Sequence, residues 1–471
     1  MTLTKVSYSM IEGAPFNILD YASLATTFTA KSPGDPASHL FTSFLSWKLP
    51  IQAALDACYN AGGGTVVLPK NTVPYYIDDL ISVKDNTTLV CEDWIILADY
   101  TTGGGAFGAN GENIVIQNLK LDCSNIYAGG SGQNGIGAGP GASGVGKNIK
   151  FYGGIVKNCR SGFNDSGAGD GGKGCQIEPG DCEDILIDGM TFSNCFMAMS
   201  TVRDYGTVDP YSGIIFSNIT ADTCKILFFV RQSNGTQSQT GLEHTVQLNN
   251  FYALNCGTSE GVFQFSRASN VMVSNGIVVV DPTASAQPLI RGNHANCTFT
   301  NIGWFGDAIN CVSLDPSTYA IDSSQPVENN VYDINVWGQV NFFADATITT
   351  SNRTLRGCTG NVTFRLAPAT AFFGNELRNS TSLFNFSCNT SGGAVSKFVL
   401  ANTALNYDGS TLPANFSGFA DGYNFSQVSG VSYETFVTTA AGTVANDSLF
   451  LDTATGKLSY KDSVGVVNAL Y

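Results

Sequence analysis

NIVIQNLKL, beginning at Asn113, decides the fold, because its pattern returns every 25 to 36 residues along the chain. The later copies are NIKFYGGIV from Asn148, DILIDGMTF from Asp184, GIIFSNITA from Gly213, TVQLNNFYA from Thr245, NVMVSNGIV from Asn270 and NCTFTNIGW from Asn296. Position two of each copy is usually apolar and position four always is. Position six is Asn or Gly throughout: Asn118, Gly153, Gly189, Asn218, Asn250, Asn275 and Asn301. These two residue types enter a left-handed backbone bend most easily. Each copy therefore reads as strand, tight bend, strand. A repeat of this length built only of strands predicts a solenoid, here a parallel β-helix. The general preference for right-handed crossovers makes it right-handed.

Position twelve supports the same register. It holds Cys159, Cys195, Cys224 and Cys256, then Asp281 and Asp307, while in the first copy a cysteine comes one place early, at Cys123. A free cysteine packs as a small hydrophobe, so these are expected to stack inside neighbouring coils about 4.8 Å apart. Thirteen cysteines is an odd number. The N-terminus lacks a basic stretch followed by an apolar one, so no signal peptide is expected, and reduced thiols made in a cytoplasm follow. A net charge of −15 argues against a nucleic-acid partner. No stretch is long and apolar enough to span a membrane.

Outside the repeats, residues 1–45 form a lead-in with little periodicity. LPIQAALDACYNAGGGTVVLP (49–69) predicts a helix with Ile51, Ala54, Leu55 and Cys58 on one apolar face, ended by Gly62, Gly63 and Gly64. Such a helix would cap the open end of the solenoid. The β-helix with its cap is assigned to 46–340. The Gly-rich stretch 128–146 interrupts it as a surface loop. Residues 341–435 are further coils or a β-rich domain, and 436–471 are a hairpin around Thr455-Gly456 followed by one more short strand. The whole is an all-β, right-handed parallel β-helix with an N-terminal capping helix and a small C-terminal β segment.

The segments between the repeat motifs carry the candidate chemistry. AMSTVRDY, ILFFVRQS, VFQFSRAS and QPLIRGN each hold an arginine near the end, Arg203, Arg231, Arg267 and Arg291, out of nine in the chain. Alternation with Val202, Val230, Ser266 and Ile290 would point the arginines outward, with Phe229 and Phe265 outward two places earlier. Rings offer flat faces to sugars, and guanidinium groups fork onto carboxylates, so this strip suits an acidic glycan. On the coil before it, Gln176 and Glu178 share the outward parity. Glu178, Asp204, Asp181 and Asp209 are the candidate catalytic carboxylates, since glycoside hydrolysis uses a pair of them. The same arginines could pair with local acids or a neighbouring subunit. A lyase would need an arginine to neutralise a uronate and a base such as Lys173, His244 or Tyr205. His39, His244 and His294 lack metal-ligand spacing, so neither a metal nor another cofactor is expected.

KVSYSMIEGAPFNILDY (5–21) followed by PIQAALDACYNAGGGTVVLP (50–69) closely resembles the opening of phage tailspike and tail-fibre proteins of the pectate-lyase-like superfamily. SLFLDTATGKLSYKDSVGVVNALY (448–471) resembles a C-terminal segment common in phage tail proteins. Ala22 stands where a Gly is usual, and an Asp-rich link is replaced. The resemblance implies a homotrimeric virion protein that binds, and in many members cuts, a bacterial surface polysaccharide, and that meets other tail or baseplate proteins through its N-terminus. The Asn-Thr-Asp, Asp-Asp and Gly-His-Gly of family pectinases do not occur at matching places. The expectation is thus a tailspike that depolymerises an acidic capsule, exopolysaccharide or O-antigen, by hydrolysis or by lyase elimination. A non-catalytic receptor-binding fibre or a structural virion protein is the alternative.

Overall fold

The computed structural model describes residues 14–29, 43–98, 104–123, 133–139, 146–159, 172–177, 182–202, 212–231, 246–257, 261–280 and 289–305, and beyond them strands and turns between 312 and 469. The chain forms a parallel β-helix with two stacked sheets. One sheet is built from the repeat motifs, the long strands Glu112–Asp122, Gly146–Lys157, Cys182–Ser193, Ser212–Asp222, Val246–Leu254, Val271–Val279 and Thr298–Phe305. The other is built from shorter strands that lie between them in sequence, among them Lys173–Ile177, Met197–Val202, Ile226–Arg231, Phe263–Ser269 and Ile290–Ala295. Within each sheet these strands pair in parallel with their counterparts one coil away.

The long-strand register follows the motif. Ile116, Phe151, Ile187, Phe216, Leu248, Val273 and Phe299, all at position four, form one column of partners. All are buried in the main core. At position six, Asn118, Asn218, Asn250, Asn275 and Asn301 have φ between 54° and 57°, and Gly153 and Gly189 have φ of 63° and 69°. The bend expected from residue type is therefore present in every copy. Asparagine adds something glycine cannot, a side chain that bonds the next coil. The Asn301 amide donates to Asn275 Oδ1 at 2.9 Å, and the Asn250 amide to Asn218 Oδ1. Similar ladders mark two other corners. One runs from Asn148 through Asn113 to Asn86, the other from Asn194 through Asn158 to Asp122.

The cysteine stack has the same origin. Cys123, Cys159, Cys195, Cys224 and Cys256 are buried free thiols. Cys123 comes early because its coil passes straight from Asp122, whereas the next coils insert a left-handed corner residue: Asn158, Asn194, Thr223 and Asn255. Hydrogen bonding to Cys123 and Cys195, with burial, holds the Cys159 thiol well above its ordinary value. Burial pushes Cys91 up to about 12. Cys159 and Cys91 are thus neutral packing groups. Asp281 and Asp307 lie outside the described residues.

The helix Lys48–Asn60 closes the N-terminal end, with Ile51, Ala54, Leu55 and Cys58 fully buried. Gly63 has φ +112°, and a Cβ there would lie 2.5 Å from the Asn86 carbonyl oxygen, so the helix stop also seats the first coil. The lead-in carries an antiparallel pair, Thr26–Thr29 with Ser43–Ser46. The Gly-rich stretch departs from the loop expected of it, because Gln133–Gly139 is a strand of the short-strand sheet. Close packing demands a glycine at 135: a Cβ on Gly135 would fall 2.4 Å from Val156 Cγ1. Parallel pairing continues in both sheets through Phe398–Ala401 and Ala404–Tyr407. Near the C-terminus, Ser448–Asp452 pairs antiparallel with Leu458–Lys461, which pairs antiparallel with Val467–Ala469.

Candidate functional site

The expected site lies along the short-strand sheet, and its register corrects the arginine ladder. Phe228 pairs with Met199 and Phe263, and Phe263 with Ile290. These side chains, with Cys175 one coil earlier, belong to the main core. Alternation puts the next residue of each strand on the opposite face. That outer row reads Gln176, Ser200, Phe229, Gln264 and Arg291. The residue after turns inward again: Ile177, Thr201, Val230 and Phe265, all buried.

The outward direction expected of Phe265 is thereby corrected. Phe265 packs in the core, its ring centroid 5.7 Å from that of Phe299 and 5.4 Å from that of His294. Phe229 does sit on the outer row, yet it is 1% exposed and packs with Phe196, Met197 and Ile226 in a cluster separate from the main core. The arginines do not form one column. The backbone of Arg231 pairs with Val202 and Ser266, and Arg291 pairs with Gln264. Arg267 falls in a register break between Phe265 and Ala268. Aligning the arginines by their distance from the strand end misplaced Arg267 by one residue against Arg231, which pairs with Ser266, and by three against Arg291, which pairs with Gln264, and an odd slip moves a strand's side chains to the other face. Glu178, Asp181, Arg203, Asp204 and Asp209 lie outside the described residues.

The row that the structure does bring together is polar and largely buried. Gln176 is 8% exposed, and its Oε1 accepts from the Asn134 amide. The Asn134 Oδ1 in turn accepts from the Lys173 backbone N–H at 3.3 Å, and the Lys173 side chain is also buried. Gln264 is 3% exposed, and its Oε1 has no hydrogen-bond partner among the described residues. An unsatisfied buried acceptor costs about 1–3 kcal/mol, so its retention calls for an explanation. Arg291, partly buried, is the next member of the row. Sequence reasoning missed Ser200 and Gln264. The signal was present in Phe263-Gln264-Phe265, where strict alternation singles out the glutamine as the outward residue.

In sequence, the remaining candidates follow on the short strands. The segments 178–181, 203–211 and 232–245 leave successive short strands at their C-terminal ends, and parallel pairing puts those ends side by side. Between them they carry Glu178, Asp181, Arg203, Asp204, Asp209 and Glu243. Among the described residues, no three His, Cys, Asp or Glu side chains are grouped so as to hold a metal ion. No helix of the described residues is long and apolar enough to cross a membrane.

No family model and no curated protein matches the sequence. Several solved structures are similar to this chain. PfbA, a surface adhesin of Streptococcus pneumoniae, is 13% identical with a TM-score of 0.47, over 81% of this chain and 93% of its own. A tailspike protein double mutant of E. coli bacteriophage HK620 is 14% identical with a TM-score of 0.46, over 84% and 79%. The A-module of the Azotobacter vinelandii mannuronan C-5 epimerase AlgE4 is 16% identical with a TM-score of 0.42, over 81% and 99%.

Proposed function

We propose that this chain is a phage tailspike that binds and depolymerises an acidic bacterial surface polysaccharide, by glycoside hydrolysis. The observation that carries the proposal is that successive short strands end side by side, with acids and Arg203 following them in sequence. The segments that follow three successive short strands in sequence carry Glu178, Asp181, Arg203, Asp204, Asp209 and Glu243, on a solenoid whose coil repeat offers an extended polymer a long, regular surface. The two ends of the sequence that resemble phage tail proteins support the virion setting.

In this account Glu178 and Asp204 are the working pair. One carboxyl protonates the leaving glycosidic oxygen. The other attacks the anomeric carbon directly at a separation of about 5 Å, or activates a water at about 6.5–9.5 Å. Asp181 and Asp209 flank them. Arg203, Arg231 and Arg291 offset the charge of a uronate-type sugar against the acidic chain. The burial of Gln176, Ser200, Phe229 and Gln264 favours a substrate that follows the strand ends over one lying on the flat of the sheet.

The test is to incubate the purified protein with a panel of acidic bacterial polysaccharides and follow reducing ends together with the ultraviolet absorbance of unsaturated sugars. Reducing ends alone are expected. Both signals together would replace the hydrolase with a lyase, and binding with neither signal would leave an adhesive fibre.

A further inference from the structure

The described residues include three Asn-Gly pairs: Asn110-Gly111, Asn134-Gly135 and Asn275-Gly276. An asparagine before glycine is chemically labile. The glycine has no Cβ to shield its backbone nitrogen, which can attack the side-chain carbonyl carbon of the asparagine. The fold imposes all three glycines. A Cβ on Gly111 would overlap Asp85 Oδ1, one on Gly135 would overlap Val156 Cγ1, and one on Gly276 would overlap the Phe251 ring. The Asp85 oxygen is itself held, accepting from the Glu112 N–H at 2.8 Å. Close packing of the coils therefore places three labile pairs in the molecule. They differ in how the asparagine is held. The Asn134 amide donates to Gln176 Oε1, and its Oδ1 accepts from the Lys173 N–H at 3.3 Å. The Asn275 amide donates to Asn249 Oδ1 at 3.0 Å, and its Oδ1 accepts from the Asn301 amide at 2.9 Å. Both of these pairs lie inside strands, Gln133–Gly139 and Val271–Val279. Asn110 ends the strand Gly104–Asn110, and Gly111 lies between that strand and Glu112–Asp122. Among the described residues no hydrogen bond holds the Asn110 side chain. Phe107 and Ala109 belong to the core, so alternation turns Asn110 to the outer face, where it is only partly buried.

We propose that Asn110 is a site of spontaneous deamidation in the folded chain, and that Asn134 and Asn275 are spared by their paired hydrogen bonds. In the step, the Gly111 nitrogen bonds to Asn110 Cγ and gives up its proton, and the side-chain nitrogen leaves as ammonia. Water then opens the five-membered imide to aspartate or isoaspartate, so only water is consumed and no oxidant is involved. At Asn134 or Asn275 the same step first requires the amide to leave two partners and the backbone to leave a strand. Each event at Asn110 adds one negative charge at the C-terminal end of a short strand. Asn110 pairs there with Gly139, and the preceding Ala138 pairs with Ile177, the residue before Glu178. The inference rests on covalent chemistry of the chain itself and stands independently of any glycan.

Peptide mass mapping of the unmutated full chain, held folded in mild alkali, tests it. Each conversion is read as one added mass unit on the peptide that carries the pair. In the folded protein Asn110 should convert at least about 10-fold faster than Asn134 and Asn275, whose amides must each give up two hydrogen bonds. In denaturant, where those bonds are gone, the three rates should come within about 3-fold of one another. Asn249→Ala, which removes the acceptor of the Asn275 amide, should speed conversion at Asn275 and leave Asn110 unchanged. Equal rates at the three sites in the folded protein overturn the proposal. So does an Asn110 that stays intact in the folded chain while it converts in denaturant.

Discussion

The two sheets of this solenoid obey different rules. The long-strand sheet keeps a left-handed Asn or Gly at one corner of every described copy and an uninterrupted apolar column beneath it, from Ile116 to Phe299. The short-strand sheet has glycine-rich early strands and an outer row that buries amides beside a phenylalanine. The first sheet is scaffold, in which each local preference agrees with the fold. The second departs from local preference where Gln264 is buried with no partner for its Oε1 among the described residues. Departures of this kind concentrate where a protein works.

The comparison breaks most readily at the scaffold. Gly154 has φ +118°, and a Cβ there would lie 2.3 Å from the Leu119 carbonyl oxygen of the preceding coil. Gly154→Ala should therefore cost about 3 kcal/mol or more, through a disfavoured φ and a backbone collision. Denaturant titration would register it, and an unchanged midpoint would show that coils slide past one another freely.

Alkali comes next. Burial raises Cys91 from 9.0 to about 12. The unfolded chain releases that proton above pH 9 while the folded chain keeps it, so the stabilisation is complete below pH 9 and falls as pH climbs toward 12. The slope is about 1.4 kcal/mol per pH unit for each such thiol. Thermal melts from pH 8 to 11 should show a steepening loss. Replacing Cys91 by Ala should flatten it measurably.

Asn250→Ala removes both a residue tolerant of φ 55° and the bond to Asn218, for a loss of about 1–2 kcal/mol. The smallest effect has the opposite sign. Gln264→Leu deletes the orphan acceptor on the short-strand sheet and should be neutral or stabilising by about 1 kcal/mol. If it instead destabilises by as much as Asn250→Ala, the contrast between the sheets fails.

Legibility in the sequence divides along the same line. The corner asparagines, the buried face of the helix at Ile51, Ala54, Leu55 and Cys58, and the cysteine stack could all be read because each depends on a local backbone preference or on burial alone. The outer row could not be read from the arginines, because strand register is a relation between coils. One inserted residue, such as the corner at Asn158, shifts every later partner. Phe263-Gln264-Phe265 did carry its own alternation, and placing Phe265 outward overlooked it. The chemistry assigned to Glu178 and Asp204 rests on segments that join the strands and follow no repeat.

The central claim is that the edge holding Glu178 cuts a glycan as well as holding it. The most direct measurement compares unmutated protein with Glu178→Gln on a polysaccharide that the unmutated protein degrades, recording retention of the polymer and release of reducing ends in the same samples. The account predicts that the variant retains the polymer with nearly unchanged affinity and releases reducing ends at least 100-fold more slowly. A variant that cuts at the unmutated rate would contradict it.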